Sequence, residues 1–377
     1  MTIPGINIIG DLTARRGLTE AARSTINVIR QQGIEFSFIE ERYVAFPDDQ
    51  RDSELGFPIT QLGNVYPINL MFYGIAGFHN ISDEELQRAT AGKYTIAYWV
   101  WEFSTMPEEY RLQIARVDEI WTASQFCKQC FATMTDKPIR VIPHPIAMPD
   151  NHSSKRDQFG ITTNRYMFLF VFDTTGSIAR KNPTAVIDAF EEAFGCPDAN
   201  GPILVLRARH LNANPAYRTE LLTQLQRVGG MMLADEYSRE QTNELMACTD
   251  AYVSLHRAEG YGLTMAEAMA LGKPVIATGY SGNLDFMTEA NSYLVNYKLR
   301  PITSQDHVFQ PFFNELYEGR EWADPDIHQA ARWMRYVVDY PAEAAARGKL
   351  AAKNIQRCCS PAVVGPLVKE YLDQLDL

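Results

Sequence analysis

Short runs of consecutive apolar residues alternate along this chain with longer stretches in which apolar residues recur every three to four positions. The first pattern suits strands buried on both faces and the second suits helices lying on them. Their alternation therefore predicts parallel βαβ units. Ile6-Asn7-Ile8-Ile9-Gly10 opens as a strand, and a helix follows over residues 19–32, closed by Gly33. Further strands are expected at 35–39, 68–73, 94–100 and 119–122, with helices at 107–118 and 125–134. The rhythm breaks at Pro143-His144-Pro145 and in the polar run Asp150-Asn151-His152-Ser153-Ser154-Lys155-Arg156, which has the composition of a linker. It restarts with the strand Tyr166-Met167-Phe168-Leu169-Phe170-Val171-Phe172, a helix over 183–194, and strands at 203–206, 230–233, 251–255, 274–278 and 293–295. One helix begins at Ser238, where Ser238 and Gln241 form a capping box, and another begins near Thr264. Three helices end the chain, over 326–339, 342–357 and 361–375.

The expected fold is α/β, with two Rossmann-like parallel-sheet domains at residues 1–148 and 166–360, a linker at 149–165, and a central cleft between them. Ligands of such sheets bind outside the carboxyl ends of the strands. A length of 377 residues suits two domains, and 46% hydrophobic residues can fill two cores. No apolar run approaches the roughly 18 residues of a membrane-spanning helix, and residues 1–10 lack the basic and long apolar regions of a secretory signal. The expected location is the cytoplasm. The net charge of −11, from 35 basic against 46 acidic residues, opposes the binding of a polyanion such as a nucleic acid. Local basic clusters can still hold a small phosphate ligand. Among the six cysteines, Cys127 and Cys130 share one face of a helix and read as buried small hydrophobes. No second CxxC, HxH or HExxH pairing points to zinc.

The most informative segment runs Ser254-Leu255-His256-Arg257-Ala258-Glu259-Gly260-Tyr261-Gly262-Leu263-Thr264-Met265-Ala266-Glu267 and continues to Gly272-Lys273-Pro274. A strand ends at Leu255, a turn follows in which Gly260 and Gly262 let backbone approach a ligand, and a helix starts near Thr264. The first turn of that helix offers amide N–H groups from Leu263 to Ala266 as an anion site. Glu259 and Glu267 border it on either side. A plainer reading stands beside this one: Thr264 and Glu267 have capping-box spacing, and Glu259 can be a solvated loop carboxylate.

Glu259-x7-Glu267 with the intervening Gly-x-Gly, followed by Lys273-Pro274-Val275-Ile276-Ala277-Thr278-Gly279, resembles the E-x7-E motif of retaining GT-B glycosyltransferases of family 4. The resemblance is strong over residues 168–297 and mainly architectural before them. It implies that Glu267 binds the donor ribose, that Glu259 contacts the donor sugar, and that the amides of Leu263 and Thr264 receive the diphosphate. It also implies that the last helix, 361–377, packs back on the first domain. A basic pair in Asp173-Thr174-Thr175-Gly176-Ser177-Ile178-Ala179-Arg180-Lys181-Asn182-Pro183 matches the family's diphosphate clamp, Lys181 at its lysine position and Arg180 as the candidate second cation. A solvated basic helix start is disfavoured there, since cations oppose the dipole at an N-terminus.

Arg207, at the end of a strand, and Asn283, in Tyr280-Ser281-Gly282-Asn283-Leu284, are further donor-side candidates, as is Tyr261; a simple turn is the alternative at 280–284. Acceptor-side candidates are Gly17 and Glu20, in a glycine-bearing loop with Arg16, and Trp101 and Glu102, beyond a strand end, where core packing is the alternative. Acceptor choice is expected in first-domain loops such as 48–63. The implied enzyme is a hexosyltransferase that uses a nucleoside-diphosphate sugar and a glycan or lipid-linked acceptor, with peripheral membrane contact and polysaccharide assembly as the setting. No metal cofactor is implied, because the cations do a metal's work and Asp324-Pro325-Asp326 fits a DxD string only at a helix start. A GT-B phosphorylase or synthase of small sugars and a non-catalytic sugar-nucleotide-binding protein are the competing readings.

Overall fold

The structure is a computed structural model that describes residues 5–14, 17–40, 63–75, 83–147, 155–234 and 237–375. The chain divides into two compact units, one comprising Met1–Ile146 with Arg357–Leu377 and the other Ala147–Gln356. The first holds strands β1 (Ile6–Gly10), β2 (Phe36–Glu40), β3 (Ile68–Phe72), β4 (Tyr94–Tyr98), β5 (Glu119–Thr122) and β6 (Ile139–Val141). They form one parallel sheet in the order β2-β1-β3-β4-β5-β6. The second holds β7 (Met167–Asp173), β8 (Ile203–Arg209), β9 (Met231–Leu233), β10 (Ala251–Ser254), β11 (Val275–Thr278) and β12 (Tyr293–Val295), also all parallel, in the order β12-β11-β10-β7-β8-β9. Every residue of β1, β3, β5, β10 and β11 is buried, as their unbroken apolar runs require when helices cover both faces. Strand order reverses between β7 and β10, and this switch point opens a crevice at the strand ends.

Two differences from the sequence reading bear on the site. β4 stops at Tyr98, so Trp101 and Glu102 lie in the following loop, and β8 runs on to Arg209, which places Arg207 inside the strand. Residues 155–165, assigned to a linker, belong to the second unit: Arg156 donates to Cys248 O (3.0 Å) and Arg165 O (2.6 Å) and pairs with Asp250 (2.6 Å), while Ile161 is buried. The rest of that linker, 149–154, lies outside the described residues, as do Arg16 and most of the acceptor loop 48–63.

The helix Pro361–Asp373 starts on its proline and lies in the first unit. There Arg140 donates to Gln374 Oε1 (3.1 Å) and sits over the Tyr371 ring (4.6 Å). A side chain at Gly365 would come within 2.7 Å of Gln32, just beyond the helix Gly17–Gln31. The helices Asp83–Thr90 and Pro215–Arg227 escape the apolar pattern because they are largely polar; the second buries only Tyr217, Leu221 and Leu225 of its side chains. An antiparallel pair, β13 (Tyr297–Pro301) and β14 (Glu321–Pro325), was also unpredicted. Among the described residues no helix is long and apolar enough to cross a membrane.

Candidate active site

The crevice of the second unit is built from the loops after β7 and β10. Beyond β7 the chain forms a one-turn helix, Ile178–Lys181, whose N-cap Ser177 accepts from the Arg180 amide (3.1 Å). Asn182 then takes a left-handed conformation (φ 57°), and Pro183 starts the long helix Pro183–Phe194. Arg180 and Lys181 therefore end a short helix instead of starting a long one, so the dipole argument against a solvated pair does not apply. The two loops are laced together. Asn182 Nδ2 donates to Leu255 O (2.9 Å), the Arg257 amide donates to Arg180 O (2.8 Å), and the Arg257 guanidinium donates to Ala179 O (2.8 Å).

This lacing brings three charged side chains from distant parts of the sequence together. Lys181 Nζ lies 2.5 Å from Glu259 Oε1, and Arg180 Nη1 lies 3.3 Å from Glu259 Oε2 while donating to Ala258 O (2.8 Å). Burial alone would raise the Glu259 carboxyl, but the Lys181 ammonium and then the Arg180 guanidinium overcome it and hold it at about 2. A carboxylate depressed from 4.5 in this way contributes stability that is fully present above 4.5 and is lost as pH falls through about 2. Glu259→Gln should therefore flatten the loss of melting temperature across that acid window. An unchanged slope in a pH series of thermal melts would show that the pairing is not made in solution.

The backbone of Glu259 is held as firmly as its side chain. Its amide donates to Ser281 Oγ (2.8 Å), and its carbonyl accepts from the Gly282 amide (2.9 Å). Ser281 has φ 77°, a strained conformation for a residue with a side chain, and such strain is stored where structure over-determines a site. A Cβ on Gly282 would sit 2.2 Å from Gly260 O, so the close approach here is backbone to backbone. That contact requires glycine at position 282, and Gly260 supplies the carbonyl it packs against.

Gly262, at φ 96°, is the N-cap of the helix Leu263–Ala270, and no side chain caps it. A Cβ there would meet Met265 Cε at 2.5 Å and Asn283 Cβ at 3.3 Å, so only glycine fits. The amides of Met265 and Ala266 return to Gly262 O, both at 3.0 Å, which narrows the expected anion site to Leu263 and Thr264. The Thr264–Glu267 capping box does not form. The Thr264 hydroxyl accepts from the buried Tyr252 (2.8 Å), and Glu267, 6% exposed, pairs with Arg239. Arg239 follows Ser238 at the start of the helix Arg239–Cys248, whose capping box with Gln241 forms as expected.

The remaining candidates separate. Asn283 is fully buried, its amide donating to Thr278 O (3.1 Å) and its oxygen beside His256 Nε2 (3.2 Å), so it braces the turn from within. Tyr261 packs its ring on Phe286 (5.1 Å between centroids) and is 3% exposed, leaving its backbone as the part near the turn. Arg207 is fully buried, 5.4 Å from the Tyr237 ring centroid. In the first unit, Gly17 is exposed at the start of its helix and Glu20 lies 3.6 Å from Arg23. Trp101 is core: its indole N–H donates to Thr105 O (2.8 Å) and its ring packs on Phe103 and Tyr110. Glu102 is half-buried beside it. Cys127 and Cys130 are buried as expected, and burial pushes the Cys127 thiol up to about 11. Sequence reasoning missed Arg239 and Ser281; the only signal was their place in segments already singled out.

Residues 220–300, which contain both glutamates, match the family model described as glycosyl transferases group 1. No curated protein matches the chain. Among solved structures, Anabaena HepE in complex with UDP-glucose is similar at TM-score 0.68 and 15% identity, over 98% of this chain and 100% of that one. Sucrose-phosphate synthase from Thermosynechococcus elongatus gives 0.68 and 14%, over 98% of each chain. A glycosyltransferase from Rickettsia africae gives 0.67 and 13%, over 99% and 100%. The fold is GT-B. That fold and the matched segment together support a glycosyltransferase.

Proposed function

We propose that this chain is a retaining glycosyltransferase of family 4 type that moves a sugar from a nucleoside-diphosphate sugar to a hydroxyl of a glycan or lipid-linked acceptor. The observation that carries the reading is the convergence of Lys181 and Arg180 on Glu259, four residues before a helix start that no side chain caps. Two cations and two free-pointing amides form a receptor for a diphosphate, and the bound donor replaces Glu259 as their counter-charge. Lys181 is the more accessible cation, its side chain 22% exposed against 6% for Arg180. Lys181 therefore meets the phosphate, and Arg180, anchored on Ala258 O, holds the Glu259 loop and adds field.

The reaction breaks the bond between the anomeric carbon and the β-phosphate oxygen. Its electron pair leaves with the phosphate, where Lys181 and the Leu263 and Thr264 amides stabilise the growing charge. Glu259, ionised at neutral pH, faces the positive charge developing on the sugar ring. The acceptor hydroxyl adds on the face the phosphate leaves and passes its proton to that phosphate, so configuration is retained without a protein nucleophile. Because the cations supply the charge a metal would, we propose that the chain needs no metal cofactor. The six cysteines, none in a disulfide, suit a reducing cytoplasm.

Glu267 is assigned to the ribose hydroxyls, to be released from Arg239 when a nucleotide arrives. Losing hydrogen bonds to a charged acceptor costs about 1.5–3 kcal/mol, so Glu267→Ala should weaken nucleoside-diphosphate binding by roughly 10–100-fold. Calorimetry with UDP, GDP and ADP checks this, and unchanged affinity in Glu267→Ala refutes the assignment. UDP is the first probe, since neighbours of this fold were solved with it. A screen of small-sugar and polymeric acceptors separates a glycan-extending enzyme from a small-sugar synthase.

A further inference from the structure

The loop that carries the two cations is anchored at its start, where the Thr174 amide and hydroxyl donate to Arg209 O (3.2 and 2.9 Å) and Thr175 donates to Asp173 Oδ1 (2.8 Å). Between β7 and the short helix, Thr174, Thr175, Gly176 and Ser177 belong to no strand or helix ladder. Three backbone groups of this segment meet a single side chain more than a hundred residues away. Gln310 accepts from the Ile178 amide (2.7 Å) and donates to Thr174 O (2.8 Å) and Gly176 O (3.0 Å). A primary amide is the neutral side chain that can accept once and donate twice in this way. His307 adds a hydrogen bond to Ser177 Oγ (3.1 Å), the same oxygen that caps the Arg180 amide.

The segment bearing Gln310 and His307 runs between β13 and β14 and is itself pinned. Arg300 makes two bonds to Asp306 (3.0 and 2.6 Å), and Thr303 and Asp306 form a capping box. His307 packs against Phe313, Tyr317 and Trp322 with centroids 5.7–5.8 Å apart. Farther along, Phe309 O accepts from Asn214 (2.9 Å) and its ring meets Tyr217 (5.3 Å). A cavity of about 530 Å³ lies alongside, lined in part by Ala179, Asn182, His307 and Gln310. Beyond its anchor on Arg209 O, the loop thus rests on the pinned segment through Gln310 and His307, with the cavity beside it.

We propose that Gln310 is a positioning residue for the diphosphate site: it fixes the path of residues 174–178 and, through them, the places of Arg180 and Lys181. This rests on the donor reading above. Gln310 touches neither Glu259 nor, on this account, the donor. Its removal should loosen the hold on the outer phosphate while sparing the rest of the nucleotide.

The test compares Gln310→Ala and Gln310→Glu with the unaltered chain, using UDP, GDP and ADP, each paired with its monophosphate, in calorimetry. Gln310→Glu keeps the acceptor for Ile178 but cannot donate to the two carbonyls, and it carries the test if the alanine variant does not fold. Expected are a diphosphate affinity lower by about tenfold and a monophosphate affinity within about twofold. Amides 174–181 should also exchange hydrogen faster while those of β7 do not. Equal losses for both nucleotides, or no loss for either, overturn the positioning role. If the unaltered chain binds no diphosphate more tightly than its monophosphate, the donor reading itself fails and this inference falls with it.

Discussion

Glu259→Gln is expected to lower sugar transfer by about 10²–10³-fold while leaving nucleoside-diphosphate affinity unchanged or higher. The two halves of this result come from the same geometry. In the structure, the Glu259 carboxylate engages both Lys181 and Arg180. A diphosphate must displace it from those cations to bind, so neutralising Glu259 removes a competitor. On the proposed mechanism the same carboxylate, held ionised, would face the positive charge on the sugar ring, and a neutral amide would not replace that field. Steady-state rates and calorimetry on one preparation separate the effects. A variant that loses nucleotide affinity and turnover together would place Glu259 in the binding of the nucleotide instead.

Lys181→Ala is expected to act on both sides. The ammonium supplies the nearest and most accessible cation of the site, and its removal leaves Arg180 alone against a buried carboxylate. Turnover should fall by about 10²–10³-fold, with diphosphate affinity falling and nucleoside affinity holding. On the same argument, transfer by the unaltered chain should survive a chelator. Activity lost to the chelator and restored by Mg²⁺ or Mn²⁺ would show that these cations do not suffice. An unchanged rate in Lys181→Ala would remove the clamp from the mechanism.

The parts of this site that can be read from the sequence are those encoded in adjacent residues. Glu259, Gly262 and Glu267 sit within one strand–turn–helix unit whose spacing fixes their places, and the β-strands announce themselves as apolar runs because both sheet faces are covered. Contacts made across the fold leave no such trace. Gln310 reaches Ile178 over 132 positions, and nothing near Gln310 in the sequence indicates that its amide will close a loop. Local spacing also misleads where backbone conformation decides. Thr264 and Glu267 have the separation of a capping box, yet Gly262 in a left-handed conformation takes the cap position and leaves both side chains to other partners. Asn283 and Arg207 are donor-side candidates by their positions near strand ends, with a simple turn as the alternative for Asn283. A strand three residues longer than predicted, together with inward hydrogen bonds, buries both.

On the proposed mechanism, a diphosphate is gripped between the start of the helix Leu263–Ala270 and Lys181. The most direct test is a crystal structure of the chain with its nucleotide sugar, beginning with UDP-glucose. Phosphate oxygens are expected within about 2.7–3.2 Å of the Leu263 and Thr264 nitrogens and of Lys181 Nζ, with Glu267 on the ribose. A diphosphate bound elsewhere, with the Lys181–Glu259 pair still closed, would contradict it.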